Sequence, residues 1–224
     1  MSLALILHLA RKDLRLEART GELLGLMLVL CALILVTLRA AFEAGSGQVS
    51  AAAALWITTG FVATLGLARP FHAEAESGTL DLLLASPATK ADLYLAKAIS
   101  GSVVAIIGAL MALVFVWAFF GDAVLRGPLQ VALLLVAGAV GLAAQAALLS
   151  AASARSRSRG AVFAVIFLPL VLPVIIWGVQ GTQAAATGGA LTDGAVGLHL
   201  AMLAAYDVLF LALNGVLAGF VLDG

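Results

Sequence analysis

Charged side chains are scarce in this sequence: Asp, Glu, Lys and Arg make up 11% of its 224 residues, whereas hydrophobic residues make up 63%. A soluble domain carries about 25% charged and about 45–50% apolar residues. Together with the mean hydropathy of +1.16, this composition excludes a water-soluble enzyme and predicts an integral membrane protein. The 12 basic and 12 acidic side chains cancel, so overall charge does not indicate nucleic-acid binding.

The sequence also lacks the residues that most catalytic and metal sites need. Its single cysteine, Cys31, lies inside an apolar run, which excludes a disulfide framework and a cysteine-based metal site. The three histidines, His8, His72 and His199, are scattered and predict no metal cluster. The chain has no G-x-x-x-x-G-K-[ST] phosphate loop, no H-E-x-x-H motif and no nucleophile elbow. An energy-driven role therefore needs ATP hydrolysis by another chain.

What the chain does have is a series of long apolar stretches. A helix needs roughly 20 apolar residues to cross a bilayer core of about 30 Å. The predicted fold class is therefore all-α, a polytopic membrane protein with a single transmembrane domain over residues 1–224. Six spans are predicted, at about residues 23–42, 51–68, 98–121, 128–154, 161–179 and 198–222. The segment 180–197, rich in Gly, Thr and Ala, is predicted to be a loop.

The distribution of Lys and Arg predicts the orientation of these spans. Ten of the twelve basic residues fall on the side of the two termini, and only Arg39 and Arg126 fall on the other. This positive-inside bias places both termini in the cytoplasm. Arg155, Arg157 and Arg159 form a tight basic loop on that side. Two interpretations of this loop stay open, an anchor at a lipid surface and a contact with an acidic partner.

Residues 3–19 predict an amphipathic helix within an interfacial segment, 1–20, that precedes the first span. Its apolar residues recur at helical spacing. Its charged residues are Arg11, Lys12, Asp13, Arg15, Glu17 and Arg19. Such a helix lies in the membrane interface with its basic groups toward anionic lipid. The alternative is a charge cluster that only orients the first span, and both interpretations can hold together.

The loop between the second and third spans predicts a short cytoplasmic helix. Pro70 stops the second span, Glu74 begins an acidic segment, and Gly78 interrupts it. Thr79 can cap the short helix at its start. The leucines on one face of this helix are Leu80, Leu83 and Leu84. An exposed apolar helix of this kind is costly unless a partner covers it, which favours a docking site. The alternative is an interfacial loop packed on its own bundle.

Three residues inside the predicted spans are candidates for function. Pro169 and Pro173 remove backbone donors from the fifth span and bend it, either as a hinge or as a static kink. Asp207 is a carboxylate well inside the sixth span, where a charge is expensive and normally faces the bundle interior or water. A break in the span near Tyr206 and Asp207 is the alternative interpretation.

Several segments, taken in order, resemble a known family. They are residues 12–20, 67–71, 74–87, 159–173, 206–207 and 220–223. This ordered set resembles the CcmB family, the membrane subunit of the haem exporter of cytochrome c maturation, and the resemblance covers nearly the whole chain. It implies a six-helix permease subunit, not an enzyme, of an ABC transporter in the bacterial inner membrane.

The resemblance also implies partners. The chain would pair with the ATPase subunit CcmA, assemble with CcmC and CcmD, and act indirectly on the haem chaperone CcmE, with a homodimer in the complex. ATP would bind the partner, and haem would be handled by the complex without a haem-binding site predicted in this chain. An ABC permease for a drug, lipid or polysaccharide and a non-transporting scaffold stay open as alternatives.

The ATPase would dock on the short helix between the second and third spans, with the N-terminal helix alongside. The predicted coupling residues are Arg69, Phe71, Glu74, Glu76, Gly78, Thr79, Leu80, Asp81, Leu83, Leu84, Pro87 and Lys97. Closure of two ATPase subunits around nucleotide would pull these helices and rock the bundle, aided by the bend at Pro169 and Pro173.

Overall fold

The computed structural model describes residues 3–43, 50–67, 71, 74, 78–86, 88–121, 126–153, 159–189, 191 and 194–223. Within these ranges the chain is helical and has no strand, which confirms the all-α prediction. The helices are α1 (Leu3–Thr20), α2 (Glu22–Glu43), α3 (Ala51–Leu67), α4 (Leu80–Leu84), α5 (Lys90–Phe120), α6 (Pro128–Ser153), α7 (Arg159–Ala186) and α8 (Gly194–Asp223).

Five of these helices, α2, α5, α6, α7 and α8, are long and apolar enough to cross a membrane. The chain is therefore a multi-pass membrane protein. Helix α3 is also apolar but has only 17 residues. Five of the six predicted spans thus correspond to helices of sufficient length, and the second span stays a prediction.

The prediction of a loop over residues 180–197 is wrong at both ends, and the helix that contains the predicted fifth span does not end at residue 179. Helix α7 continues to Ala186, and α8 already begins at Gly194. The added turns of α7 contain three alanines and two glutamines, which are good helix formers. They are also fixed by a long-range contact, because the indole N–H of Trp56 donates to Thr182 Oγ1 at 2.9 Å.

The helix that contains the predicted third span begins before residue 98. Helix α5 starts at Lys90, directly after a capping box. Thr89 Oγ1 accepts a hydrogen bond from the Asp92 N–H at 3.1 Å, and the Asp92 carboxylate accepts one from the Thr89 N–H at 3.4 Å. These two bonds satisfy backbone donors at the helix start. As a result Lys97 lies within α5, rather than in a segment that precedes it.

Trp56 of α3 occupies the centre of the bundle and is fully buried. Its ring lies against Gly138 of α6 and Gly178 of α7, so closely that a Cβ atom at either glycine would overlap the ring. Small residues allow membrane helices to approach each other closely. Helices α3, α6 and α7 therefore pack closely against each other around the Trp56 ring.

Candidate functional site: a buried ionic cluster

The loop after α3 is held against the bundle by Phe71. This side chain is fully buried, and its backbone N–H donates to Ser150 Oγ of α6 at 3.0 Å. Its ring belongs to an apolar cluster that includes Tyr94 of α5, Leu148 of α6 and Leu222 of α8. The start of the loop is therefore anchored on three helices, and this anchor lies only three residues before Glu74.

Lys97 of α5 is the centre of the candidate site. Its side chain is only 6% exposed, and Nζ lies 2.8 Å from Glu74 Oε1 and 2.9 Å from Asp13 Oδ2. The ammonium group also lies 5.6 Å from the centroid of the Phe71 ring. A buried charge requires close partners to offset its loss of hydration. Two carboxylates on one ammonium meet this requirement and join α1, the loop and α5 at one point.

Lys12 of α1 is a second cation in contact with the same two carboxylates. Its Nζ lies 3.2 Å from Asp13 Oδ1 and 3.2 Å from Glu74 Oε1, with the side chain 51% exposed. Burial lowers the pKa of Lys12, but the carboxylates of Asp13 and Glu74 outweigh this effect, so the pKa is raised above its ordinary value. We call Lys12, Asp13, Glu74 and Lys97 the ionic cluster. These four described residues contribute two positive and two negative groups, and Lys97 and Glu74 are the most buried of them.

The junction of α1 with α2 fixes the position of α1. Gly21 adopts a φ of +61°, which favours glycine, and its N–H donates to the Glu17 carbonyl at 2.9 Å. Glu17 Oε1 also accepts a hydrogen bond from the Leu23 N–H at 3.2 Å. Glu17 therefore satisfies a donor in the first turn of α2, whereas the sequence pattern indicated only a charged position on the amphipathic helix.

Helix α4 is connected directly to the ionic cluster. Gly78 has a φ of +70°, which interrupts the chain where the sequence predicted a break. The Thr79 N–H donates to the Glu74 carbonyl at 3.0 Å. This bond links the residue before α4 to the residue whose carboxylate binds Lys97. A displacement of α4 would therefore act on Glu74 over a short path.

Among the leucines of α4 whose side chains are described, Leu82 is the exposed one, and it was not among the leucines singled out by helical spacing. Its side chain is 74% exposed, whereas Leu83 and Leu84 are half-buried. Leu84 packs against the apolar cluster around Phe71. The sequence pattern showed that some leucines share a face, but it contained no signal for which face packs on the bundle.

The structure brings together three of the predicted coupling residues, Phe71, Glu74 and Lys97, and adds two from the predicted interfacial helix, Lys12 and Asp13. Two further charged residues predicted on that helix, Arg15 and Arg19, are exposed. Leu80 and Asp81 belong to the backbone of α4. Predicted residues that lie outside the described ranges are Arg69, Glu76, Pro87, Arg155 and Arg157.

Asp207 lies in an unbroken helix and packs against α6. It is 9% exposed, and a Cβ atom added to Gly141 would lie 2.5 Å from Asp207 Oδ1. Among the described residues, none donates a hydrogen bond to this oxygen. Helix α8 continues through Tyr206 and Asp207, so the described backbone shows no break at this position.

The two prolines lie inside a continuous α7. Pro173 has no N–H to donate to the carbonyl of Pro169. At the neighbouring carbonyl, Leu170 accepts a hydrogen bond from the Tyr206 hydroxyl at 2.8 Å. Helix α8 therefore supports the proline segment of α7 from outside. Whether this segment acts as a hinge stays a prediction.

Buried polar residues also connect α5, α6 and α8. The Tyr94 hydroxyl and the Asn214 side-chain amide each donate to the Ala144 carbonyl at 3.1 Å. Gln145 is buried beside them, with its Oε1 at 3.5 Å from Asn214 Nδ2. Gln145 and Asn214 are polar residues in otherwise apolar stretches, and this contrast is the sequence signal that could have identified them.

No group of three His, Cys, Asp or Glu side chains that could hold a metal ion occurs within the described ranges. His199 contacts the Ala195 carbonyl through Nδ1 at 2.6 Å and Gln180 Oε1 through Nε2 at 2.9 Å. Its ring therefore connects the start of α8 to α7.

Comparison with known proteins agrees with the resemblance found in the sequence. The family model described as CcmB protein matches residues 4–220. The protein named "Heme exporter protein B" from Bradyrhizobium diazoefficiens is 30% identical over 183 residues, which cover 80% of this chain and 82% of that protein. With a match over nearly its whole length, this chain belongs to the CcmB family.

Proposed function

We propose that this chain is the membrane subunit of an ABC transporter complex for haem export in cytochrome c maturation. The match to the CcmB family over residues 4–220 carries the proposal, and the multi-pass helical fold is consistent with a permease-type subunit. In this role the chain is not the enzyme of the complex. ATP is bound and hydrolysed by a separate subunit, and haem is the cargo of the complex.

The proposed placement has six spans, with α3 as the second of them. Its 17 residues would extend about 25 Å, close to the lower limit for a spanning helix. Most of its residues are buried among the longer helices, so it is surrounded by protein over much of its surface. Both termini lie in the cytoplasm of the bacterial inner membrane, and residues 1–224 form one transmembrane domain.

The ATPase subunit, CcmA in this family, is proposed to dock on the outer surface of α4. Leu82 provides an exposed apolar side chain there, and a partner that covers it would remove apolar surface from water. The half-exposed Lys12 lies beside the loop through its contact with Glu74. Two ATPase subunits would require two copies of this chain, and CcmC, CcmD and the chaperone CcmE complete the proposed assembly.

The ionic cluster is the proposed path from the motor to the bundle. Movement of α4 would pull on Glu74 through the Thr79 N–H, and Glu74 would transmit the pull to Lys97 of α5. Because Asp13 binds the same ammonium, α1 would move together with Lys97. Packed interfaces of this kind move as rigid bodies rather than deforming continuously. Arg69, Glu76, Asp81 and Pro87 belong to the same proposed contact surface by sequence.

A haem stain of denatured membrane proteins tests the proposal. A strain that lacks the gene is complemented with the wild-type chain, with a Glu74→Lys and Glu76→Lys double variant, or with Arg126→Gln as an exposed control distant from the cluster in sequence. Covalent haem is expected to disappear in the deletion strain, to return with the wild type and the control, and to stay low with the double variant. Unchanged covalent haem in the deletion strain would contradict the proposed role in cytochrome c maturation. It would favour a permease for another cargo.

A further inference from the structure

Helix α1 carries a stripe of arginines that the ionic cluster does not use. Three arginines recur at every fourth position and are all exposed: Arg11, Arg15 and Arg19. The opposite side of the helix contains Ile6 and Ala10, which are buried where α1 packs along α5. We call Arg11, Arg15 and Arg19 the basic stripe. It faces away from the bundle, as helical periodicity requires.

Within the described part of the chain, the basic stripe has no counter-charge. The salt bridges found there involve Lys12 and Lys97, and none involves an arginine of the stripe. Exposed arginines need no partner for stability, but three on one face produce a local positive potential. This positive potential attracts ligands that carry several negative charges.

The two flanks of the stripe differ. Leu3 and Leu7 lie on one flank and are 69% and 50% exposed. Lys12 lies toward the other flank and reaches Glu74 of the loop. Leu3 and Leu7 therefore point away from the loop, whereas Leu16, which is 62% exposed, lies one turn after Lys12 on the other flank. An exposed apolar flank such as that of Leu3 and Leu7 is what a helix parallel to a membrane presents to the acyl chains.

We propose that α1 binds the headgroups of anionic phospholipids through the basic stripe, with Leu3 and Leu7 inserted among the acyl chains beneath them. Guanidinium groups bind phosphate oxygens through paired hydrogen bonds, which favours lipid phosphates as ligands. Stable attachment to a membrane surface requires both charge attraction and apolar insertion, and α1 offers both. The inference depends on the membrane placement proposed above and is independent of the cargo.

Lipid binding at this face has a consequence for the ionic cluster. Asp13 lies between Arg11 and Arg15 in the sequence, so the helix that binds lipid is the one that supplies a carboxylate to Lys97. Anionic lipid therefore sets the position of α1 against α5. A membrane without anionic lipid leaves α1 held by the cluster and by the packing of Ile6 and Ala10 alone.

Titration of the purified full-length chain with phosphatidylglycerol, monitored by native mass spectrometry, tests this proposal. Phosphatidylcholine is the reference lipid. The variant replaces Arg11, Arg15 and Arg19 with Gln, and a matched variant replaces the same residues with Lys. Each basic residue near an anionic surface contributes about fivefold in affinity, so the Gln variant is expected to bind phosphatidylglycerol roughly 100-fold more weakly. The Lys variant is expected to retain most of the preference.

An unchanged preference for phosphatidylglycerol in the Gln variant would overturn the proposal. If a separate co-purification shows that this Gln variant, with its lipid preference unchanged, no longer binds the ATPase subunit, the stripe contacts an acidic protein surface instead of lipid. Should the triple Gln variant fail to fold, Arg15→Gln alone carries the test through its expected loss of about fivefold. The titration contains neither haem nor ATPase, so its outcome is separate from that of the haem stain.

Discussion

The ammonium group of Lys97, in a helix long enough to cross the membrane, lies 2.8 Å from the carboxylate of Glu74 in the loop that precedes α4. Asp13 of α1 binds the same ammonium at 2.9 Å. A loop residue, an N-terminal helix and a long apolar helix thus meet at one buried cation. The proposed coupling depends on this contact, and each of its partners leads to a measurable expectation.

Lys97→Met is expected to destabilise the protein strongly. It leaves Asp13 and Glu74 without the buried cation, and loss of one partner from a buried ion pair costs about 3–5 kcal/mol. Lys12→Met is the control, since its half-exposed ion pairs contribute less than about 1 kcal/mol. Chemical unfolding of the purified protein in detergent measures both. Equal losses for the two variants would contradict the central position of Lys97.

Gly178→Ala is expected to disturb the packed centre of the bundle. A Cβ atom at this position overlaps the ring of Trp56, and overpacking of a core costs about 1–3 kcal/mol. Gly215→Ala on α8 is the matched control, because no atom lies within 4 Å of its added Cβ. The control should be neutral or slightly stabilising, since alanine favours a helix more than glycine does. Thermal unfolding compares the two, and a reversed order would show that the Trp56 contact is misassigned.

Gly141→Ala and Asp207→Ala are expected to be coupled. The added Cβ at residue 141 would lie 2.5 Å from Asp207 Oδ1, so the first substitution alone forces the carboxylate to move. Removal of the carboxylate relieves the contact. The double variant should therefore lose less stability than the sum of the single variants, with an interaction energy of about 0.5–3 kcal/mol. Simple additivity would mean that α6 and α8 do not meet at this pair.

Leu82→Arg is expected to weaken ATPase binding and leave the fold intact. The side chain is 74% exposed, so the long polar replacement meets no packed neighbour on this chain. Burial of a leucine side chain contributes about 1.5–3 kcal/mol, so its loss from the contact is expected to weaken affinity roughly 10- to 100-fold. Co-purification of the ATPase subunit measures the effect, with Arg126→Gln as the control. Undiminished co-purification would show that the ATPase subunit does not dock on α4.

The sequence was sufficient to predict the long helices, but not the residues at which they begin and end. Charge-poor stretches predicted six spans, because a bilayer core requires a minimum apolar length, and five of them correspond to helices of that length. The end of α7 was misplaced because Gly and Thr near residue 181 suggested a loop. That turn is instead held by the bond from Trp56 to Thr182, and sequence periodicity carries no information on a partner 126 residues away.

The residues of the ionic cluster could be identified one by one from the sequence, but the contacts between them could not be predicted. Glu74 and Lys97 were expected at the ends of the loop, and Lys12 and Asp13 on a separate interfacial helix. Burial of Lys97 depends on how α1 packs along α5. The same limit applies to Leu82, because helical spacing groups leucines by face without showing which face packs inward.

The most direct measurement is covalent c-type haem in cells whose chain carries a neutral cluster, with Lys97→Met, Asp13→Asn and Glu74→Gln together. Removing the three charges together leaves none of them buried without its partner, so the folded amount is expected to stay near that of the wild type. The account predicts that c-type haem falls to the background of the deletion strain, because α4 no longer has an ionic connection to α5. Wild-type haem levels at a normal amount of folded protein would contradict it.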